Sequence, residues 1–138
     1  MNSYTLKDLS VGMEERFCVT ITQVMMDKFI DITGDVSPIH TSEEYAKSKG
    51  FKGRVCHGML FGSMFSTLSG VYLPGEHCLL HSVETKFLSP VFPEDELEIS
   101  GKISEINDTF KTITIKGTIV NQEGKKVCKA VIQAGVRE

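Results

Sequence analysis

Residues 58–72, GMLFGSMFSTLSGVY, hold no charged side chain in fifteen positions. A helix of this composition has no polar face to turn towards water, so the rest of the chain is expected to cover it on all sides. It reads as the central helix of the fold. Beyond residue 76 the chain changes character. Residues 77–92, 95–106, 110–121 and 125–136 read as four successive strands, separated by turn chemistry at Asn107-Asp108 and between Asn121 and Gly124. The last three strands show partial period-two alternation, as in Leu97/Ile99/Gly101/Ile103 and Ile113/Ile115/Gly117/Ile119.

The first third supplies smaller elements. Residues 15–22 have strand character. Thr22 is placed to cap a helix over 23–33, where Met26, Phe29, Ile30 and Thr33 keep 3–4 spacing, and Gly34 sits where that helix stops. Pro38 disfavours helix at Ser37, so residues 35–40 read as an irregular turn. Thr41-Ser42-Glu43-Glu44 matches a capping box with Thr41 at the N-cap, opening a short helix that runs to about Ser48 and ends at Gly50. Helices early and strands late make an α+β pattern, best met by a long twisted antiparallel sheet around one buried helix.

A chain of 138 residues suits one domain, 1–138, and leaves no room for a separate cofactor domain. Its net charge of −3 argues against nonspecific nucleic-acid binding, which needs clustered Lys and Arg over phosphates. That charge is still compatible with a small anionic ligand on a local basic patch. Lys47, Lys49, Lys52 and Arg54 give four positive charges and no acid across 47–54, or simply a solvated loop. No secretory N-terminus and no apolar run near the ~20 residues of a bilayer span are present, so no membrane partner is expected. Cys18, Cys56, Cys78 and Cys128 are scattered without a C-x-x-C, and read as buried small hydrophobes of a reducing, cytoplasmic compartment. His77, Cys78 and His81 lack zinc-ligand spacing, and no metal site is expected.

Chemistry concentrates in residues 34–60, GDVSPIHTSEEYAKSKGFKGRVCHGML. Asp35 and His40 are an acid and an imidazole five residues apart, with Pro38 between them and a helix end on each flank. Such a pair can grip one water, although an Asp after a Gly and a His before an N-cap are also common surface residues. Gly58 opens the uncharged helix with a backbone N–H that no side chain obstructs, an oxyanion donor or a plain glycine cap. His57 reads as a structural hydrogen-bonding histidine. Ser63, among Met, Phe and Leu, either bonds a carbonyl of its own helix or orients a nearby carboxylate.

Gly34-Asp35-x-x-Pro38-x-His40, followed by Ala46, Gly50-Phe51, Val55 and His57-Gly58-Met59-Leu60, resembles the MaoC-like hydratase family, and within it the single-domain (R)-specific enoyl-CoA hydratases. The resemblance implies a hot-dog fold working as a homodimer. It implies reversible addition of water to a trans-2-enoyl-CoA, with coenzyme A entering as part of the substrate and no separate cofactor. It places the catalytic pair on Asp35 and His40, the oxyanion donor on Gly58 and a supporting serine on Ser63. The family usually has Asn where this chain has Ser37, which keeps a hydrogen-bonding group with shorter reach. Lys47, Lys49, Lys52 and Arg54 become candidates for the coenzyme A phosphates. Met25, Met59, Phe61 and Met64 become candidates for the acyl pocket. An acyl-CoA thioesterase and a non-catalytic acyl-CoA-binding module are the alternatives, since fold alone does not set function.

Overall fold

A computed structural model describes residues 1–138. Five strands, β1 (Glu14–Thr20), β2 (Cys78–Phe87), β3 (Glu96–Asn107), β4 (Thr112–Val120) and β5 (Lys126–Val136), form one antiparallel sheet in the order β1-β3-β4-β5-β2. The alternation expected in β3 and β4 is real. Leu97, Ile99, Gly101 and Ile103, and Ile113, Ile115, Gly117 and Ile119, all point into the core. One rung crosses the whole sheet, from Phe17 through Ile99, Ile119 and Cys128 to Phe87 on the far edge. β2 stops short of the expected 92 because Pro90 and Pro93 cannot continue a hydrogen-bonded ladder.

After a 3₁₀ turn at Leu6–Asp8, the helical elements are α1 (Gln23–Thr33), α2 (Pro38–Thr41), α3 (Glu43–Ser48), α4 (Gly58–Gly62), α5 (Met64–Thr67) and a π-type turn, Leu68–Tyr72. The last three occupy the expected central helix. The π-type turn touches both β1 and β2, the two opposite edges, so the sheet curls around it. Glycines on the inward face make that approach possible: a Cβ on Gly101 would lie 2.5 Å from Leu68 Cδ2, and one on Gly117 would lie 2.5 Å from Phe65 Cε1.

The central segment is one continuous helical run, as expected: Ser63, between α4 and α5, keeps the right-handed helical backbone at φ −63° and ψ −17°, its N–H bonds the Met59 carbonyl at 3.0 Å, and its Oγ donates to the Leu60 carbonyl at 2.5 Å. Two expectations need correction. One chain does not bury this helix on all sides. Phe61, Phe65 and Leu68 are in the core, while Met59, Ser63 and Ser66 are exposed, because the one sheet of this chain covers only the side of the helix turned towards it. Finally, residues 35–40 are not irregular throughout and Thr41 is not the cap. Ser37 keeps the extended backbone that precedes a proline, but Pro38 then occupies the first position of α2, which takes in His40 and Thr41. Ser42 becomes the N-cap of α3, its Oγ accepting the Tyr45 N–H at 3.1 Å.

α1 has the expected bounds. Thr22 Oγ1 accepts the Met25 N–H at 3.1 Å, and Gly34 closes the helix in the left-handed region at φ 71°. Cys56 and Cys128 are buried as expected, and burial pushes their thiols up to about 12 and about 11. Cys18 departs from that expectation by lying on the outer side of β1, exposed. No helix is long and apolar enough to cross a membrane.

Candidate active site

The end of α1 delivers Asp35. Thr33 Oγ1 donates to the Phe29 carbonyl at 2.8 Å and accepts the Asp35 N–H at 3.2 Å, tying the residue after the Gly34 turn back to the helix. The Ser37 N–H then donates to Asp35 Oδ1 at 3.2 Å. Ser37 therefore supports the site through its backbone, and one carboxylate oxygen is held while Oδ2 is left facing inwards.

His40 faces it from α2. Its Nδ1–H donates to the Val55 carbonyl at 2.7 Å, which assigns the tautomer and leaves the Nε2 lone pair 3.9 Å from Asp35 Oδ2. Arg54 holds the back of this turn, Nε donating to the His40 carbonyl at 2.6 Å and the guanidinium pairing with Asp27 Oδ1 at 3.1 Å. His57, only 2% exposed, stacks on His40 with centroids 3.9 Å apart, and its Nε2 lies 3.2 Å from the Asp35 carbonyl oxygen and 4.0 Å from Oδ2.

These groups line a cleft of about 520 Å³ together with Phe29, Thr33, Gly58, Met59 and Ser63. Gly58 N–H has no acceptor within the chain, and no side chain caps α4. The Phe87 ring packs where a side chain at Gly58 would stand; a Cβ there would meet that ring at 3.0 Å. Gly58 opens the helical run that continues through Ser63, so its N–H sits at the positive end of that helix. Asp35, His40 and His57 present three ligand-type atoms within 4.8 Å of one another. The two imidazoles are stacked, however, so their ring-plane lone pairs run side by side instead of meeting at one point, and His57 Nε2 is committed to a carbonyl. That geometry suits proton handling better than metal ligation.

The structure thus brings together Asp35, His40, Gly58, Ser63 and Met59. It does not bring in Met25, Phe61 or Met64: Phe61 is fully buried and meets Phe87 edge to face, while Met25 and Met64 pack against the core. Ser63 bonds Leu60 of its own helix and is exposed in the cleft, not buried. The four cations also have local tasks. Arg54 is an internal tie, Lys47 pairs with Glu43 at 3.3 Å, and Lys49 and Lys52 sit over Tyr45 and Phe92. Sequence reading missed Phe29, Thr33 and the contact of His57 with the pair. Phe29 was within reach of it, because it lies one turn before Thr33 on the face of α1 that runs into Asp35.

Residues 10–125 match the profile of the family described as MaoC like domain. A 3-hydroxybutyryl-CoA dehydratase of Methylorubrum extorquens is 33% identical over 100 residues, 72% of this chain and 64% of that protein. An (R)-specific enoyl-CoA hydratase of Aeromonas caviae is 27% identical over 118 residues, 86% of this chain and 88% of that one. Among solved structures, the unliganded R-hydratase PhaJ1 of Pseudomonas aeruginosa superposes with a TM-score of 0.91 at 26% identity, covering 97% of this chain and 86% of the other. The (R)-hydratase of A. caviae superposes with a TM-score of 0.90 at 25% identity, over 94% and 98% of the two chains. The fold is the hot-dog fold of these hydratases.

Proposed function

Since this chain belongs to the MaoC like domain family, we propose that it catalyses reversible hydration of a trans-2-enoyl-CoA to the (R)-3-hydroxyacyl-CoA. The observation that carries the reading is the gap between Asp35 Oδ2 and His40 Nε2. At 3.9 Å it is too long for a direct hydrogen bond. It is the right width for one water bonded to both atoms at ~2.8 Å. Both facing atoms are acceptors, because Nδ1 of His40 keeps the ring proton on Val55.

In the forward direction the pair takes a proton from this water as its oxygen bonds to C3. The C2=C3 electrons move towards the thioester, whose oxygen becomes enolate-like and takes the free Gly58 N–H. A proton from the pair then goes to C2, and H and OH have been added with no change in redox state. Hydration therefore calls for no electron carrier, and coenzyme A enters with the substrate. An oxyanion donor of this kind is typically worth about 3–4 kcal/mol in the transition state. The M. extorquens 3-hydroxybutyryl-CoA dehydratase and the A. caviae (R)-specific enoyl-CoA hydratase support the substrate class and the R configuration. The direct test is loss of the conjugated enoyl-thioester absorbance of crotonyl-CoA on mixing with the protein. No loss overturns the reading, and release of free thiol instead would identify a thioesterase.

The reading includes a homodimer. β2 is an edge strand whose outer side is unpaired, and it presents exposed Leu79, Leu80, Val83 and Phe87. A long apolar edge of this kind is an aggregation hazard unless something covers it. A second copy pairing edge to edge about a two-fold axis covers it symmetrically. Light scattering coupled to gel filtration is expected to give twice the chain mass for the wild type. Val83→Lys, which places its charge in the interface twice, is expected to shift the protein towards monomer; a wild-type monomer would refute the arrangement.

A further inference from the structure

Of the titratable side chains that line the cleft, His57 is the buried one, and the hydration mechanism gives it no task. Its side chain touches both members of the catalytic pair, and its backbone adjoins the third part of the site. Its ring stacks on His40 and tilts against Phe29 at 5.0 Å, its Nε2 lies 3.2 Å from the Asp35 carbonyl, and its own peptide leads into Gly58. Its Nδ1 is sealed from solvent and has no hydrogen-bond partner.

These contacts determine where its proton sits. With the proton on Nε2, the ring donates to the Asp35 carbonyl and leaves only a bare acceptor at Nδ1. With the proton on Nδ1, a buried donor would be stranded, and the Nε2 lone pair would face both the carbonyl and Oδ2. A stranded buried donor and a lone-pair clash are each unfavourable. The Nε2–H form is therefore the one the site selects.

From this we infer that His57 is a positioning residue for the hydration reaction. Its Nε2–H holds the Asp35 backbone so that Oδ2 faces His40, and its ring forms the wall that sets the plane of the His40 imidazole. The inference rests on the hydratase reading for its kinetic consequence, and on geometry alone for its structural one. Two groups that grip one water tolerate little displacement, since a shift of about 1 Å can cost on the order of 100-fold in rate.

Two variants separate the donor from the ring. His57→Gln puts an amide N–H near the place of Nε2–H, whereas His57→Phe keeps a flat ring with no donor. With crotonyl-CoA, His57→Gln is expected to stay within about tenfold of wild-type kcat and His57→Phe to fall by about 100-fold, both with KM changed by less than about twofold. Equal losses in the two variants, or a loss confined to KM, would overturn the assignment. A second measurement does not depend on activity. In protein labelled with ¹⁵N-histidine, long-range ¹H–¹⁵N correlation is expected to show His57 with its proton on Nε2, and His57→Phe is expected to move the His40 ring signals. A proton on Nδ1, or unmoved His40 signals, would refute the positioning role even in an active enzyme. A wild type that shows this pattern yet hydrates no enoyl-CoA would refute the hydratase reading alone.

Discussion

Asp35→Asn should lower the rate of crotonyl-CoA hydration by about 10²–10⁴-fold, the range expected when a positioned acid–base group is removed. The substitution is nearly isosteric. Its amide oxygen can keep the Ser37 N–H bond that Oδ1 now makes at 3.2 Å. The amide nitrogen then takes the place of Oδ2, 3.9 Å from His40 Nε2, and offers a donor where the water needs an acceptor. Because the Asp35 side chain is 48% exposed, the fold does not depend on its burial. Initial rates measured beside circular dichroism spectra check the point. A folded Asp35→Asn protein within threefold of the wild-type rate would remove Asp35 from the mechanism.

The second large effect concerns stability. Phe65→Ala is expected to cost about 3–5 kcal/mol, as for other buried Phe to Ala changes. Phe65 has no exposed surface and its ring fills the space that Gly117 leaves open on the inner face of β4. The sheet cannot collapse into the vacancy without breaking the rungs on either side of Gly117, so a cavity should remain. Since small domains have about 5–15 kcal/mol of total stability, a loss of this size is a large share of it. Urea unfolding at fixed protein concentration should show a lower midpoint with an unchanged slope. Met59→Ala, at a site 67% exposed, should change the midpoint little and serves as the comparison. If the two variants unfold alike, Phe65 is not the keystone of this core.

Some of this molecule was legible from local rules. Thr22 and Gly34 bracket α1 because an N-cap oxygen and a left-handed glycine act within one turn of the residue that carries them. The inward row of β3 and β4 was legible because side chains on a strand alternate by geometry, and the glycines in that row marked where the helix comes close. The spacing of Asp35, Pro38 and His40 likewise announced a polar pair on a forced turn. Where two local rules competed, sequence reading chose wrongly. Thr41 and Ser42 are both good caps, and the outcome turned on Pro38 starting a helical turn that absorbed Thr41.

Other features depend on partners far away in the chain. Arg54 looked like a free cation until the fold set Asp27 and the His40 carbonyl beside it. Phe61 and Met59 are near neighbours of similar character, yet one is buried in the core and the other lies in the cleft, because the curl of the sheet decides which side of the helix is inside. The uncharged stretch 58–72 by itself determined that a helix would be the centre of this protein and that a sheet would have to meet it. Only the tertiary structure decided that its first turn would lie beside Asp35 and His40. Charge and periodicity are properties of a segment, whereas a distance between Asp35 and His57 exists only once the chain has closed around them.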